Sequence, residues 1–287
     1  MTTIAEILRE TTSKLLSVGI PPDEASIESR IIIQHVTKLN QTRLLSNIRE
    51  PFPDHARPNL NNITSRRQNR EPLAYILGEK KFYTRTFQVD HNVLIPRPET
   101  EHLIDLCIDF TQSNNLQNPT ICDIGTGSGI VAITLDKEVP EAQITATDIS
   151  TEAIQLAKTN AQTHNAKINF TLQDATEHQP GKTFDIIVSN PPYIKTKTLE
   201  SLQPEVRDWE PRKALDGGPD GMNIIPPLIQ SLPHILHKNT PTAAFIEIDL
   251  PIVDACLTLA YQTLPNANTQ IHHDYAGLER ILAIILD

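Results

Sequence analysis

"TICDIGTGSGIVAITLDKEV", residues 120–139, changes its period in the middle. TICDIG is a short apolar run that reads as a buried strand. GIVAITLDKEV repeats its apolar residues at helical spacing. Between them DIGTGSG, Asp123 to Gly129, carries three glycines. A strand that passes into a helix through glycines can turn tightly and bring its backbone close to a ligand without Cβ interference. The six-residue dinucleotide fingerprint requires a third glycine at position 130, where Ile130 stands. The spacing here is Gly-x-Gly-x-Gly.

Outward toward the C-terminus the alternation continues. QITATDIS is a strand and TEAIQLAKTNAQTHN a helix; KINFTLQDA and FDIIVSN are strands. GMNIIPPLIQSLPHILH is partly helical, with Pro226 and Pro227 expected to interrupt it. TAAFIEI is a strand, PIVDACLTLAYQTL a helix, and NTQIHHD and ERILAIIL two final strands with no helix between them. Regular β-α alternation predicts an α/β fold with a doubly wound, mostly parallel sheet, and the last two strands predict one antiparallel member. Toward the N-terminus residues 1–70 read as helical, with Asp23 as an expected cap; HARPNLNNITSRRQNREPLAYILG carries a third helical stretch with a break at Pro72. KFYTRTFQVDHNVLI then reads as a β-hairpin turning at Asp90-His91-Asn92, and PRPETEHLIDLCIDF as a helix. The expected domains are a small helical one with the start of the hairpin linker, residues 1–84, and an α/β one, residues 85–287.

Charge divides along the same line. Residues 1–84 carry 12 Lys and Arg against 9 Asp and Glu; residues 85–287 carry 13 against 26. The acidic larger part should repel a polyphosphate backbone. Cys107, Cys122 and Cys256 are too few and too scattered for a disulfide framework or a zinc site, and His272 and His273 have no spaced partners, so no metal is expected. No apolar run approaches the roughly 18 residues of a membrane span. The opening residues lack a basic segment followed by an apolar one, so a reducing cytoplasm is the expected location.

Ligands of a doubly wound sheet bind beyond the carboxyl ends of its strands. Asp148 ends the second strand there; it can accept from vicinal ribose hydroxyls or share with Ser150 the capping of the next helix. Asp174 ends the third, suited to an adenine amine or to a loop cap. Asp123 can bind an ammonium or orient the loop amides. The fourth strand ends in SNPPYI, residues 189–194. An amide –NH2 is a poor nucleophile because its lone pair is delocalised. Two fixed carbonyl acceptors can hold both its hydrogens and aim the lone pair. The Asn190 side-chain oxygen and the Pro191 carbonyl supply such a pair, Pro192 stiffens it, and Tyr193 adds an apolar face and a hydroxyl near the substrate. Arg97 and Glu99 suit a tie to the linker or a solvated helix start. Trp209 suits a loop covering the substrate or a core anchor. Arg66, Arg67 and Arg70 suit a solvated helix face or a docking surface for an acidic partner.

Taken with NPPY, the stretches YILGEKKFY, LIPRPETE, DIGTGSG, WEPRKALDGGPDG and DYAGLERI make the chain resemble the protein-(glutamine-N5) methyltransferases of peptide chain release factors, over nearly its whole length. The resemblance implies a seven-stranded Rossmann-like S-adenosylmethionine-dependent methyltransferase domain with a helical N-terminal substrate-docking domain. It implies methyl transfer to the glutamine of the Gly-Gly-Gln loop in class 1 release factors; a monomer is expected, and the acidic balance of residues 85–287 argues against direct DNA binding. Its implied cofactor set is Gly125, Thr126, Gly127, Ser128, Gly129, Asp148, Asp174, Ala175 and Asn190. Its implied catalytic and substrate-binding set is Asn190, Pro191, Pro192 and Tyr193. Asp249-Leu250 and Ala175 stand where the family has a Gly-led pair and an aromatic residue, which is expected to alter packing beside the adenine. An adenine methyltransferase of DNA or RNA shares NPPY, but it must hold a phosphate backbone. A dehydrogenase or a plain nucleotide-binding module leaves the Asn-Pro-Pro-Tyr clamp unexplained.

Overall fold

A computed structural model describes residues 2–177, 182–238, 240–274 and 277–287. In chain order its elements begin with α1 (Ile4–Leu16), α2 (Pro22–Thr37), α3 (Gln41–Ser46), α4 (Arg57–Gln68), α5 (Leu73–Leu77), β1 (Glu79–Phe82), β2 (Arg85–Gln88) and α6 (Glu101–Ser113). There follow β3 (Thr120–Ile124), α7 (Ile130–Glu138), β4 (Gln143–Asp148), α8 (Thr151–Thr163), β5 (Ile168–Leu172) and β6 (Ile186–Ser189). The chain ends with α9 (Pro204–Trp209), α10 (Ile225–Ile235), β7 (Thr242–Glu247), α11 (Val253–Thr263), β8 (Asn268–His273) and β9 (Glu279–Leu286). Two compact units result: Met1–Gly78 with Pro204–Trp209, and Glu79–Gln203 with Glu210–Asp287. Both hairpin strands thus fall in the second unit, where the sequence reading cut after residue 84.

In the first unit Thr3 and Glu6 form a capping box at the start of α1. Asp23 does not cap α2; Pro22 opens that helix, where no backbone N–H is needed, and Asp23 lies in its first turn. The six-residue α3, capped by Asn40, is too short to show an apolar period. Ile4, Ile7, Leu15, Ile32, Ile33 and Leu60 are among the core residues.

Within the basic cluster on and after α4, Arg67 and Arg70 are not a solvated face, while Arg66 stays half-exposed. Arg67 is only 1% exposed. It donates to Glu28 at 2.7 Å, to Glu205 of α9 at 2.7 Å and to Glu24 at 3.3 Å. Arg70 grips both Glu205 oxygens at 2.6 Å and reaches the Val18 carbonyl at 2.9 Å; Arg66 pairs with Glu71. Burial pushes Glu28 above the usual carboxylate range despite Arg67. Burial acts the same way on Glu205, but the hydrogen bonds from Arg70 and Arg67 outweigh it and hold that carboxyl low.

The second unit holds a seven-stranded sheet in the order β5-β4-β3-β6-β7-β9-β8, with β9 antiparallel to both its neighbours. Along its central strands residues alternate between two cores. Ile121, Ile186, Val188, Ala243 and Phe245 face α6 and α7, while Cys122, Ile187, Ala244 and Ile246 face α10 and α11. Both faces are covered, so the strands read as unbroken apolar runs. Pro226 and Pro227 do not interrupt α10. They stand in its first turn, where their missing N–H groups cost nothing.

The hairpin turns at Tyr83-Thr84, not at Asp90-His91-Asn92. Tyr83 takes a left-handed φ of 53°, supported by its N–H to Glu101 and its hydroxyl to Asp105. Asp90 instead folds back on the Asn92 N–H at 2.8 Å, a local turn after the strand that mimics a hairpin signal. Of the DYAGLERI stretch, Tyr275 and Ala276 lie outside the described residues.

Candidate active site

The strand order reverses between β3 and β6: β4 and β5 lie to one side of β3, and β6 and β7 to the other. At such a switch point the two loops leaving the strand ends diverge and open a crevice. A cleft of about 280 Å³ opens there. The glycine loop after β3 lines it, as do Asp148 at the end of β4, Asp174 and Ala175 after β5, and Asn190 and Pro192 after β6. Gly125, Gly127 and Gly129 all have positive φ, and a Cβ added to Gly125 or Gly127 would meet no protein atom within 4 Å. These two glycines therefore leave open the space that a side chain would take from a ligand.

Asp148 ties the glycine loop to the start of the next helix, which it does not itself cap. One oxygen accepts from the Gly127 N–H at 2.8 Å and the other from the Ser150 N–H at 2.8 Å, while Ser150 itself caps α8. A carboxylate offers about four acceptor positions, so about two remain toward the cleft. Asp174 accepts from the backbone and hydroxyl of Thr176 at 2.8 and 2.7 Å and so caps its own loop. Ala175 lines the cleft where an aromatic ring was expected by resemblance. The WEPRKALDGG segment reaches this side too. Lys213 and Ala214 line the cleft, and the Lys213 ammonium donates to Ser150 at 2.7 Å. Trp209, in the first unit, is half-buried.

Asp123 is 2% exposed. It accepts from the Thr126 hydroxyl at 2.6 Å and the Ala132 N–H at 3.2 Å, so it orients the glycine loop. Burial pushes its carboxyl up to about 7; those two hydrogen bonds oppose the rise and the charge of Asp148 adds to it. The folded state therefore holds this proton more tightly than the unfolded chain, whose value is near 3.8. Asp123 contributes stability at acid pH that is lost as pH rises toward about 7, and the contribution is flat above that. Relative to an Asp123→Asn variant, the wild type should lose on the order of 4 kcal/mol of unfolding free energy between about pH 4 and pH 7. Urea denaturation of both proteins across that range measures it; a constant difference would mean that Asp123 is ionised throughout.

On β6 the residues facing α6 are Ile186 and Val188, and the same parity carries Asn190 to that side. On β7 they are Ala243 and Phe245, and then Glu247. Val188 pairs with Phe245, so Asn190 and Glu247 leave neighbouring strands side by side. Thr100, which precedes α6, sits between them. The Asn190 amide nitrogen donates to the Thr100 hydroxyl at 3.1 Å, and that hydroxyl donates to Glu247 at 2.8 Å. Tyr193 departs from expectation: its hydroxyl donates to the other Glu247 oxygen at 3.0 Å. Burial, and then the charge and hydrogen bond of Glu247, push the phenol far up, so it is held as a neutral donor.

Two further supports were missed in the sequence. Glu210 pairs with Arg97 and accepts from the Ile95 N–H at 3.2 Å, which ties down the stretch leading to Thr100. Gly217 lies against the Tyr193 backbone: a Cβ there would come within 2.8 Å of it. In the sequence Gly217 shows only as part of the glycine pair in DGGPDG and Glu210 only as a carboxylate before a proline, while Glu247 stands out as a carboxylate inside the apolar TAAFIEI.

Residues 106–203 match the model of the methyltransferase small domain, and residues 6–78 that of the PrmC N-terminal domain. The chain is 33% identical to the release factor glutamine methyltransferase of Rhodopirellula baltica over 98% of this chain and 96% of that one. It is 41% identical to the enzyme of the same name from Neisseria gonorrhoeae over 72% and 75%. Among solved structures, the 16S rRNA N2 G1207 methyltransferase of T. thermophilus, in complex with AdoMet and guanosine, superposes with a TM-score of 0.51 at 13% identity. That match covers 72% of this chain and 49% of the other, and shows the shared fold. Near-complete coverage at this identity decides the assignment: the chain belongs to the release factor glutamine methyltransferase family.

Proposed function

We propose that this chain methylates the side-chain amide nitrogen of the glutamine in the Gly-Gly-Gln loop of class 1 peptide chain release factors, as a cytoplasmic monomer. The observation that carries the chemistry is Asn190: it lines the cleft beside the glycine loop with its amide nitrogen engaged inward at Thr100, which leaves Oδ1 to accept. S-adenosylmethionine, when bound, would supply a methyl carbon on a sulfonium: as the nitrogen–carbon bond forms, the sulfur–carbon bond breaks to leave a neutral thioether, and the amide nitrogen gives up one of its two hydrogens as a proton. The chain's residues suit that donor: Gly125 and Gly127 leave room for it, and Asp148 keeps acceptor positions for hydroxyls.

The protein's own contribution is positioning. Asn190 Oδ1 accepts one amide hydrogen, the Pro191 carbonyl accepts the other, and Pro192 stiffens the pair, so the nitrogen lone pair is aimed before reaction. Tyr193 acts through its ring and its tie to Glu247. Docking of the release factor is assigned to the helical N-terminal domain, on its excess of basic residues; Arg67 and Arg70 take no part, since their charges are consumed by Glu24, Glu28 and Glu205.

Incubation with labelled S-adenosylmethionine and either purified release factor or duplex and single-stranded DNA, followed by peptide mass spectrometry, tests the reading. One methyl group on the loop glutamine is expected. Label on DNA with none on that glutamine would overturn it.

A further inference from the structure

We infer that Thr100 and Glu247 are positioning residues that fix which way round the Asn190 carboxamide faces, and so make the cleft an acceptor of N–H groups. The inference rests on the reading of Asn190 as the amide acceptor. It adds what determines that polarity.

The two ends of an asparagine amide have nearly the same shape, so packing alone does not choose between them; the hydrogen-bond partners do. The partner here, the Thr100 hydroxyl, can itself donate or accept. Such a chain has a defined direction only if it ends on a group of fixed character. Glu247 is that group: burial pushes its carboxyl up and the hydrogen bonds from Thr100 and Tyr193 oppose the rise, and with one donor on each oxygen it accepts at both. The Thr100 hydroxyl has one proton, which goes to Glu247 at 2.8 Å, so toward Asn190 it presents a lone pair. The lone pair takes the Nδ2 hydrogen at 3.1 Å, and Oδ1 is turned to the cleft. Tyr193 supplies a second donor to Glu247 at 3.0 Å, which helps to offset the desolvation of that carboxylate.

Both groups are buried, Thr100 at 1% and Glu247 at 2% exposure, so water does not compete for these bonds. The arrangement also accounts for a carboxylate in a strand whose other described positions are apolar or a single threonine. An apolar residue at 247 would avoid the cost of burying a charge, but it would leave the Thr100 hydroxyl without a fixed direction. With the amide reversed, an –NH2 would meet the substrate's –NH2, donor against donor.

Four single variants and one double variant test this: Thr100→Val, Thr100→Ser, Glu247→Gln, Asn190→Ala, and Thr100→Val with Asn190→Ala. The measurements are kcat and KM for release factor, and calorimetric titration with S-adenosylmethionine. Thr100→Val, which keeps the shape and removes the hydroxyl, should lower kcat at least about tenfold with cofactor affinity unchanged. Glu247→Gln, whose amide can donate to Thr100, should fall similarly. Thr100→Ser should return kcat to near the wild-type value. In the Asn190→Ala background Thr100→Val should add nothing, because its effect passes through Asn190. If Asn190→Ala itself turns over like wild type, the reading of Asn190 fails. If Asn190→Ala is impaired but Thr100→Val keeps wild-type kcat, or its loss persists undiminished in the double variant, only the inference about Thr100 and Glu247 fails.

Discussion

Replacing Asn190 by Ala should reduce single-turnover methyl transfer by roughly 10²–10³, by analogy with removal of an oriented oxyanion-hole donor. Binding of S-adenosylmethionine and the urea midpoint should stay close to wild type. The loss is large because the amide has no strong nucleophile to offer; its reactivity depends on how its lone pair is directed. Removing one of two fixed acceptors frees the –NH2 to rotate out of line, and the other acceptor cannot hold it alone. The fold should survive because Asn190 lies past the end of β6, and its described side-chain bond goes to a hydroxyl that Glu247 continues to hold. The rate is measured with saturating cofactor and release factor, so that chemistry and not binding is read. A variant within about threefold of wild type would remove Asn190 from the mechanism.

Replacing Arg67 by Ala should lower the stability of the first unit by about 3–5 kcal/mol, the scale of breaking a buried pair from one side. The guanidinium is 1% exposed and donates to three carboxylates. Without it Glu28, itself buried, loses its only described cation beside Glu24, and Arg70 remains to hold only Glu205. Trp209, the chain's only tryptophan, ends the same helix that carries Glu205, so its fluorescence reports this unit. A urea midpoint lower by at least about 1 M is expected, given slopes of about 1–3 kcal/mol per molar urea. Arg67→Met combined with Glu28→Leu should recover part of the loss, since apolar replacement of a whole buried pair is often close to neutral. An unchanged midpoint in Arg67→Ala would return this arginine to a solvated face.

Sequence alone determined the scaffold of the second unit. Periods of 2 and 3.6 residues depend on nearest neighbours along the chain, and the central strands β3, β6, β7 and β9 each show an apolar run, while the edge strand β8 is polar. The rim was legible for the same reason. In a doubly wound sheet, ligand-facing groups follow the carboxyl ends of strands, so Gly125–Gly129, Asp148, Asp174 and Asn190 could be placed by finding where the strands stop. Local signals also misled where two local structures share them. Asp90-His91-Asn92 has turn chemistry but closes only an Asp90 turn, and Pro226-Pro227 begins a helix instead of breaking one.

The tertiary structure decided which polar groups meet. Asn190 and Thr100 are 90 residues apart, Thr100 and Glu247 are 147 apart, and Arg67 and Glu205 are 138 apart. No periodicity in the chain encodes such a pairing. Arg67 lies on a polar helix and reads as solvated until three carboxylates from α2 and α9 surround it. Glu247 reads as an oddity in an apolar strand until the sheet's alternation brings it beside Asn190. A buried polar side chain is stable only where its partner is, and that partner is fixed by packing between elements, which the order of residues along one element does not contain.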